Sequence, residues 1–227
     1  MQLLNTDYPA GPFPPAIQNR WAHRVALGGV AIVLVLVLLH IVNGVTLDLQ
    51  LLDLNSEQNL PSWVSSFGFA LAGLTAAAVG LSDRALRPWL AIGVLMLAFS
   101  LDDIAMLHER FEELGDTGLA LLVIEPLMVL GFLIVFAAAA RTVRGVPRVL
   151  FLAAILALAI AQVASSAGFV REHVPVPLGT LIVLEEGAEL LVSALLLGAA
   201  VQPLLARVNA VLLRERRRVS RPRGGPA

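Results

Sequence analysis

PWLAIGVLMLAFSLDDIAMLHER, residues 88–110, decides the fold of this chain. Its first part is apolar enough to dissolve in lipid, whereas its last ten residues hold two aspartates, a histidine, a glutamate and an arginine. A charged side chain inside a bilayer costs about 2.5–3.5 kcal/mol on insertion scales, so such groups face a protein interior or a water-filled cavity. The stretch predicts a membrane-crossing helix that brings part of a polar site with it.

The rest of the chain agrees. Of its 227 residues 58% are hydrophobic and 15% charged, and the mean hydropathy is +0.82, far from the balance of a soluble domain. Six stretches approach the roughly 20 apolar residues a span requires: 24–44, 61–82, 88–109, 118–140, 148–169 and 177–200. The expected fold is all-α, a polytopic integral membrane protein with six transmembrane helices in one bundle. A polar segment 1–23 precedes the bundle at 24–200, and a basic tail follows at 201–227. The first segment lacks the basic start of a secretory signal, so the first span is expected to stay as an anchor. The end of the tail, RERRRVSRPRGGPA, is expected to be too basic and too rich in Pro and Gly to pack.

Cysteine is absent, which excludes disulfides, thiolate metal sites and a cysteine nucleophile. All sixteen basic residues are arginines, which excludes a Schiff-base lysine. No Gly-rich phosphate loop, GxSxG elbow or aromatic-basic surface for nucleic acid is present.

Arginine placement predicts orientation. Arg20 and Arg24 precede the first span, Arg84 and Arg87 separate the second from the third, and Arg141, Arg144 and Arg148 separate the fourth from the fifth. Seven more follow the sixth, and only Arg110 and Arg171 fall on the opposite side. Both termini are expected in the cytoplasm and the protein in the plasma membrane, its basic tail against anionic lipid headgroups.

With direction fixed, the polar residues of the spans fall in one layer in the extracytoplasmic half. They are His40, Asn43, Ser62, Ser65, Ser66, Asp102, Asp103, His108, Glu109, Glu125, Gln162, Ser165, Ser166, Glu185, Glu186 and Glu189. At about 100° per residue, Asp102, His108 and Glu109 share the side of Ala105 and Asp103 turns away. Glu185, Glu186 and Glu189 make one stripe about 100° wide. Pro126, beside Glu125, is expected to kink the fourth helix by displacing the Leu122 carbonyl.

Seven acids in one layer exceed the available cations, so either protons or a metal ion must neutralise them. The first expectation is a site for a divalent or redox metal (iron, manganese or zinc) with Asp102, His108, Glu125, Glu185 and Glu189 as ligands. Glu109 and Glu186 would then handle protons in metal-assisted chemistry, hydrolytic or redox, on a lipid or membrane-soluble substrate. The Glu-x-x-His signature of ferritin-like dimetal sites is missing, since Glu186 to Glu189 supplies the spacing without the histidine.

Two other expectations stand beside it. A proton-coupled or cation transporter would use the same acids, and the likeness of LDDIAML (101–107) to LEEGAEL (184–190) hints at a repeat. Both heptapeptides lie on the same side of the midplane, however, where an inverted repeat would mirror them. A structural or accessory subunit would use Ala72, Ala76 and Gly80 for close packing and its serines for backbone bonds, but leaves the glutamate stripe without a purpose.

Overall fold

A computed structural model of the protein describes residues 15–46, 49–54, 59–105, 125–165 and 177–220. These form six helices: α1 (Pro15–Thr46), α2 (Leu60–Ser82), α3 (Arg87–Ala105), α4 (Glu125–Ala140), α5 (Val146–Ser165) and α6 (Leu178–Ser220). Short 3-10 turns at Gln50–Leu52 and Arg84–Leu86 lie before α2 and α3, and the described residues include no strand. Five helices, α1, α2, α3, α5 and α6, are long and apolar enough to cross a membrane. The expected span 118–140 is described only from Glu125, and the kink expected at Leu122 falls outside the described residues.

Helix starts follow local chemistry. Asn59 caps α2, its side chain accepting the Ser62 N–H at 2.8 Å, and Pro61 occupies a first-turn position where no backbone donor is needed. Asp83 caps the turn into α3 by accepting the Ala85 N–H at 2.8 Å. Gly145, at a φ of 67°, makes the left-handed bend between α4 and α5.

α6 runs past the expected end at 200 to Ser220, so all of RERRRVS is helical. Leu, Ala and Arg are strong helix formers, and a helix already nucleated extends at little cost. Pro203 lies within it and withdraws one backbone donor. The extension is tied down: Asn209 is buried, and Arg207 pairs with Asp83 in the α2–α3 turn.

Small residues set how closely the helices approach. On α2, a Cβ added at Gly73 would lie 2.9 Å from the Gly93 carbonyl of α3, and one at Gly80 would run into the Leu90 backbone. Gly29 of α1 abuts Ala194 of α6, and Gly68 of α2 lies against Ser193, a built Cβ meeting its Oγ at 2.6 Å. α6 is therefore the hub, packed on α1, α2 and α5, while α4 joins through α3 and α5. Outside this core a belt of exposed apolar side chains, among them Leu34, Leu38, Phe67, Leu74, Leu156 and Val163, suits contact with lipid acyl chains.

The core itself is aromatic. Phe69, Phe99 and Phe132 bring α2, α3 and α4 together with centroids 5.7 Å apart at each step. Nearer the arginine-rich end, Phe151 of α5 touches Phe136 at 5.3 Å and Trp89 at 5.4 Å. Trp89 is fully buried, and its indole N–H donates to Thr142 Oγ at 2.8 Å, which in turn donates to the Ala139 carbonyl at 2.7 Å. A buried indole N–H needs such a partner.

Candidate functional site

Of the expected site residues, Asp102, Glu185, Glu186 and Glu189 are described with their side chains, and they lie at the end of the bundle opposite the arginines. The α6 segment 184–190 shows how that end is built. Leu184 is exposed, a Cβ added at Gly187 would lie 3.5 Å from Val37 of α1, and Leu190 is buried with Val33 and Leu36 of α1 and with Leu54. Ala188 is buried, and Glu185, Glu186 and Glu189 are half-buried. One turn beyond Glu189 the same stripe becomes Val192 and then Leu196, both in the main core. The stripe thus changes from carboxylate to hydrocarbon within a single turn.

Depth is fixed by two contacts between α2 and α6. Gly68 meets Ser193, and Asp83 bonds Arg207, so level residues differ by 125 and 124 in number and the two helices run parallel. Ser65 is therefore level with Glu189 and Leu190. Phe69 and Phe99 lie one turn further in, beneath the carboxylates.

The described part of the connection from α1 to α2, residues 49–54, is held to this end by side chains that bond to backbone. Asn43, only 3% exposed, donates to the Leu49 carbonyl at 2.9 Å and accepts the Leu49 N–H at 2.8 Å. His40 Nδ1 accepts the Leu54 N–H at 3.0 Å. A ring nitrogen that accepts carries no proton, so the Asp53 carboxylate 3.4 Å from the same Nδ1 is a neighbour rather than a hydrogen-bond acceptor in that tautomer. Asn59 donates to the Asp53 carbonyl, and its Oδ1 also accepts from Ser62 Oγ at 2.9 Å. Sequence reasoning placed His40 and Asn43 at this depth, but the pairing of each with loop backbone depends on how the connection folds back.

Ser66 donates to the Ser62 carbonyl at 2.9 Å. Ser65 does not settle in this way: its Oγ is shut off from solvent and has no hydrogen-bond partner among the described residues. Leaving a buried hydroxyl unsatisfied costs about 1–3 kcal/mol. That property was invisible in the sequence, where Ser62, Ser65 and Ser66 look alike.

Of the seven residues singled out by sequence, four are described with their side chains: Asp102, Glu185, Glu186 and Glu189. All four engage other polar or charged groups. Asp102 is half-buried and continues the flank set one heptad earlier by Leu95, beside the buried face of Met96 and Ser100. His108 and Glu109 lie outside the described residues, as does the Glu125 side chain at the start of α4. Among the described residues no three His, Asp or Glu side chains converge as a metal-binding group. A metal held by the expected set would therefore need His108 or Glu125 beside the α6 glutamates.

At the opposite end, the Ala85 backbone N–H, with the Arg207 guanidinium beside it, holds the Asp83 carboxyl below its ordinary value of 3.8, against a smaller opposing effect of burial. This cluster ties α2, α3 and α6 together and has no part in the acid layer.

No curated protein and no solved structure matches the chain. Residues 26–203, which take in the described parts of all six helices except the ends of α1 and α6, match a family described as a domain of unknown function, and the chain belongs to that family, DUF8692.

Proposed function

We propose that the chain is a six-span plasma-membrane protein, with both termini cytoplasmic, that binds a divalent or redox metal in a carboxylate pocket of its extracytoplasmic half. The observation that carries this reading is the half-buried stripe of Glu185, Glu186 and Glu189, which turns into closed apolar core one turn deeper. The seven acids of this layer outnumber its candidate cations in the sequence, and the aromatic tier of Phe69, Phe99 and Phe132 lies between the α6 glutamates and the arginines at the other end.

In this reading Asp102, His108, Glu125, Glu185 and Glu189 are the ligand set, and Glu109 and Glu186 handle protons. The enzymatic version acts on a lipid or membrane-soluble substrate, which would reach the acids laterally through the apolar belt. A proton-coupled or cation carrier is the second reading, favoured by the same half-buried acids. It requires the aromatic tier to open during the cycle.

Elemental analysis of protein purified without an affinity metal tests the first reading. Stoichiometric metal in the wild type, lost in Glu185→Ala/Glu189→Ala, is the expected result. Metal-free wild type together with pH-driven flux in liposomes would replace it with the second. Orientation is tested on the natural cysteine-free background. Glu57→Cys should react with an impermeant thiol reagent in intact cells, and Ser220→Cys only after permeabilisation.

A further inference from the structure

The buried hydroxyl of Ser65 lies where the acid layer and the bundle interior meet. On α2 it is turned about 60° from Gly68, towards the side of Phe69 and Ala72, which face the core. On α6, Glu189 is turned about 40° from Ser193, towards the side of Val192 and Leu196, which face the same core. The Gly68–Ser193 contact holds the two helices together just below, and the register places Ser65 and Glu189 at one depth. Ser65 Oγ and the Glu189 carboxylate therefore enter one wedge from its two walls, and Glu185 stands a turn above Glu189.

The neighbouring hydroxyls show what a serine or threonine on these helices otherwise does. Ser66 donates to the Ser62 carbonyl, Thr75 to that of Leu71 at 2.7 Å and Ser193 to that of Leu190 at 2.9 Å. Ser65 makes no such bond, and its Oγ is sealed from solvent.

The geometry points to a cation site between α2 and α6, in which Ser65 Oγ, Glu189 and Glu185 supply oxygen donors to one hard divalent ion. This deepens the metal-binding reading, on which it rests, by moving the centre of the site to the α2–α6 wedge and by naming the ion class. A neutral hydroxyl and carboxylates form an oxygen-only set, suited to manganese, magnesium or calcium rather than zinc. Two carboxylates and a hydroxyl, with water completing the oxygen shell, need no third acid at the same point.

The full chain in nanodiscs, titrated with Mn2+ and followed by the loss of the free-ion electron paramagnetic resonance signal, tests this. Wild type is expected to bind about one ion, Ser65→Ala and Ser65→Gly to bind at least tenfold more weakly, and Ser65→Thr to retain binding. Ser66→Ala, whose hydroxyl already bonds to backbone, should match wild type. Without added metal, Ser65→Ala should be as stable as wild type or more so, because it removes a buried unsatisfied group. Equal affinity in wild type, Ser65→Ala and Ser65→Gly overturns the wedge site and leaves the metal-binding reading standing. Wild type that ignores Mn2+ but carries stoichiometric zinc or iron also overturns it alone. Wild type that holds no metal of any kind overturns both.

Discussion

The two ends of this bundle are held by different forces. Towards the arginines, rings interlock across α2, α3, α4 and α5, and glycines let backbones meet. Towards the acids, the α1–α2 connection is fastened by Asn43, His40 and Asn59, which hydrogen-bond to backbone. Lipid removes the hydrophobic incentive for one apolar helix to bind another, so the first end depends on close packing. At the second, polar side chains find partners because a lone polar group in an apolar setting is costly. The packed end is built to stay shut, whereas the tied end leaves the Ser65 hydroxyl buried without a partner among the described residues.

Substitutions at the two ends sharpen or break that contrast. The largest loss is expected for Phe151→Ala, which deletes the ring joining Trp89 to Phe136 and should cost about 3–5 kcal/mol of unfolding free energy, measured by denaturant titration in mixed micelles. Next comes Gly80→Val, whose branched side chain must displace the Leu90 backbone, at about 1–3 kcal/mol. Gly28→Ala, which meets nothing within 4 Å, should be silent in the same assay. If Gly80→Val were equally silent, close backbone approach would not be what holds the packed end.

Asn59→Ala, which removes the α2 cap and frees the Asp53 carbonyl, is expected to cost about 0.5–2 kcal/mol. It should also raise hydrogen exchange in residues 49–54 while leaving α3 and α5 unchanged. A loss as large as that of Phe151→Ala would erase the distinction between the ends.

The smallest effect concerns pH. Asp83 titrates below its ordinary 3.8 in the folded chain, so the stability it contributes is complete above pH 3.8 and is lost as pH falls through the lowered folded value. Asp83→Asn should be slightly less stable than wild type at neutral pH, and the two thermal midpoints should converge below pH 3.8. A constant difference down to the lowest accessible pH would show that the carboxylate charge is not the stabilising element.

Much of this was legible in residue order. The apolar runs predicted the helices, and the arginines and acids already lay at opposite ends of those runs. The stripe at 185, 186 and 189 was visible because helical periodicity is a local property. The tail is where expectation and structure part. RERRRVS was expected not to pack, and Arg214, Glu215 and Arg216 are exposed, yet α6 continues through it to Ser220, since a charged composition weakens burial without weakening helix propensity. Asp102 was expected to share a pocket with the α6 acids; it is half-buried and continues the flank of Leu95, and which flank meets which neighbour depends on how helices pack.

By itself the sequence determined that these helices form, where each is apolar and at which end its charges gather, because those properties depend on spacing along one chain. Only the tertiary structure decided that Ser65, and not Ser62 or Ser66, is the hydroxyl left without a partner. The register of α2 against α6, set by Gly68 against Ser193 and Asp83 against Arg207, puts that hydroxyl level with Glu189. Contacts 125 and 124 residues apart set the height at which one helix faces another, and no local pattern records that height.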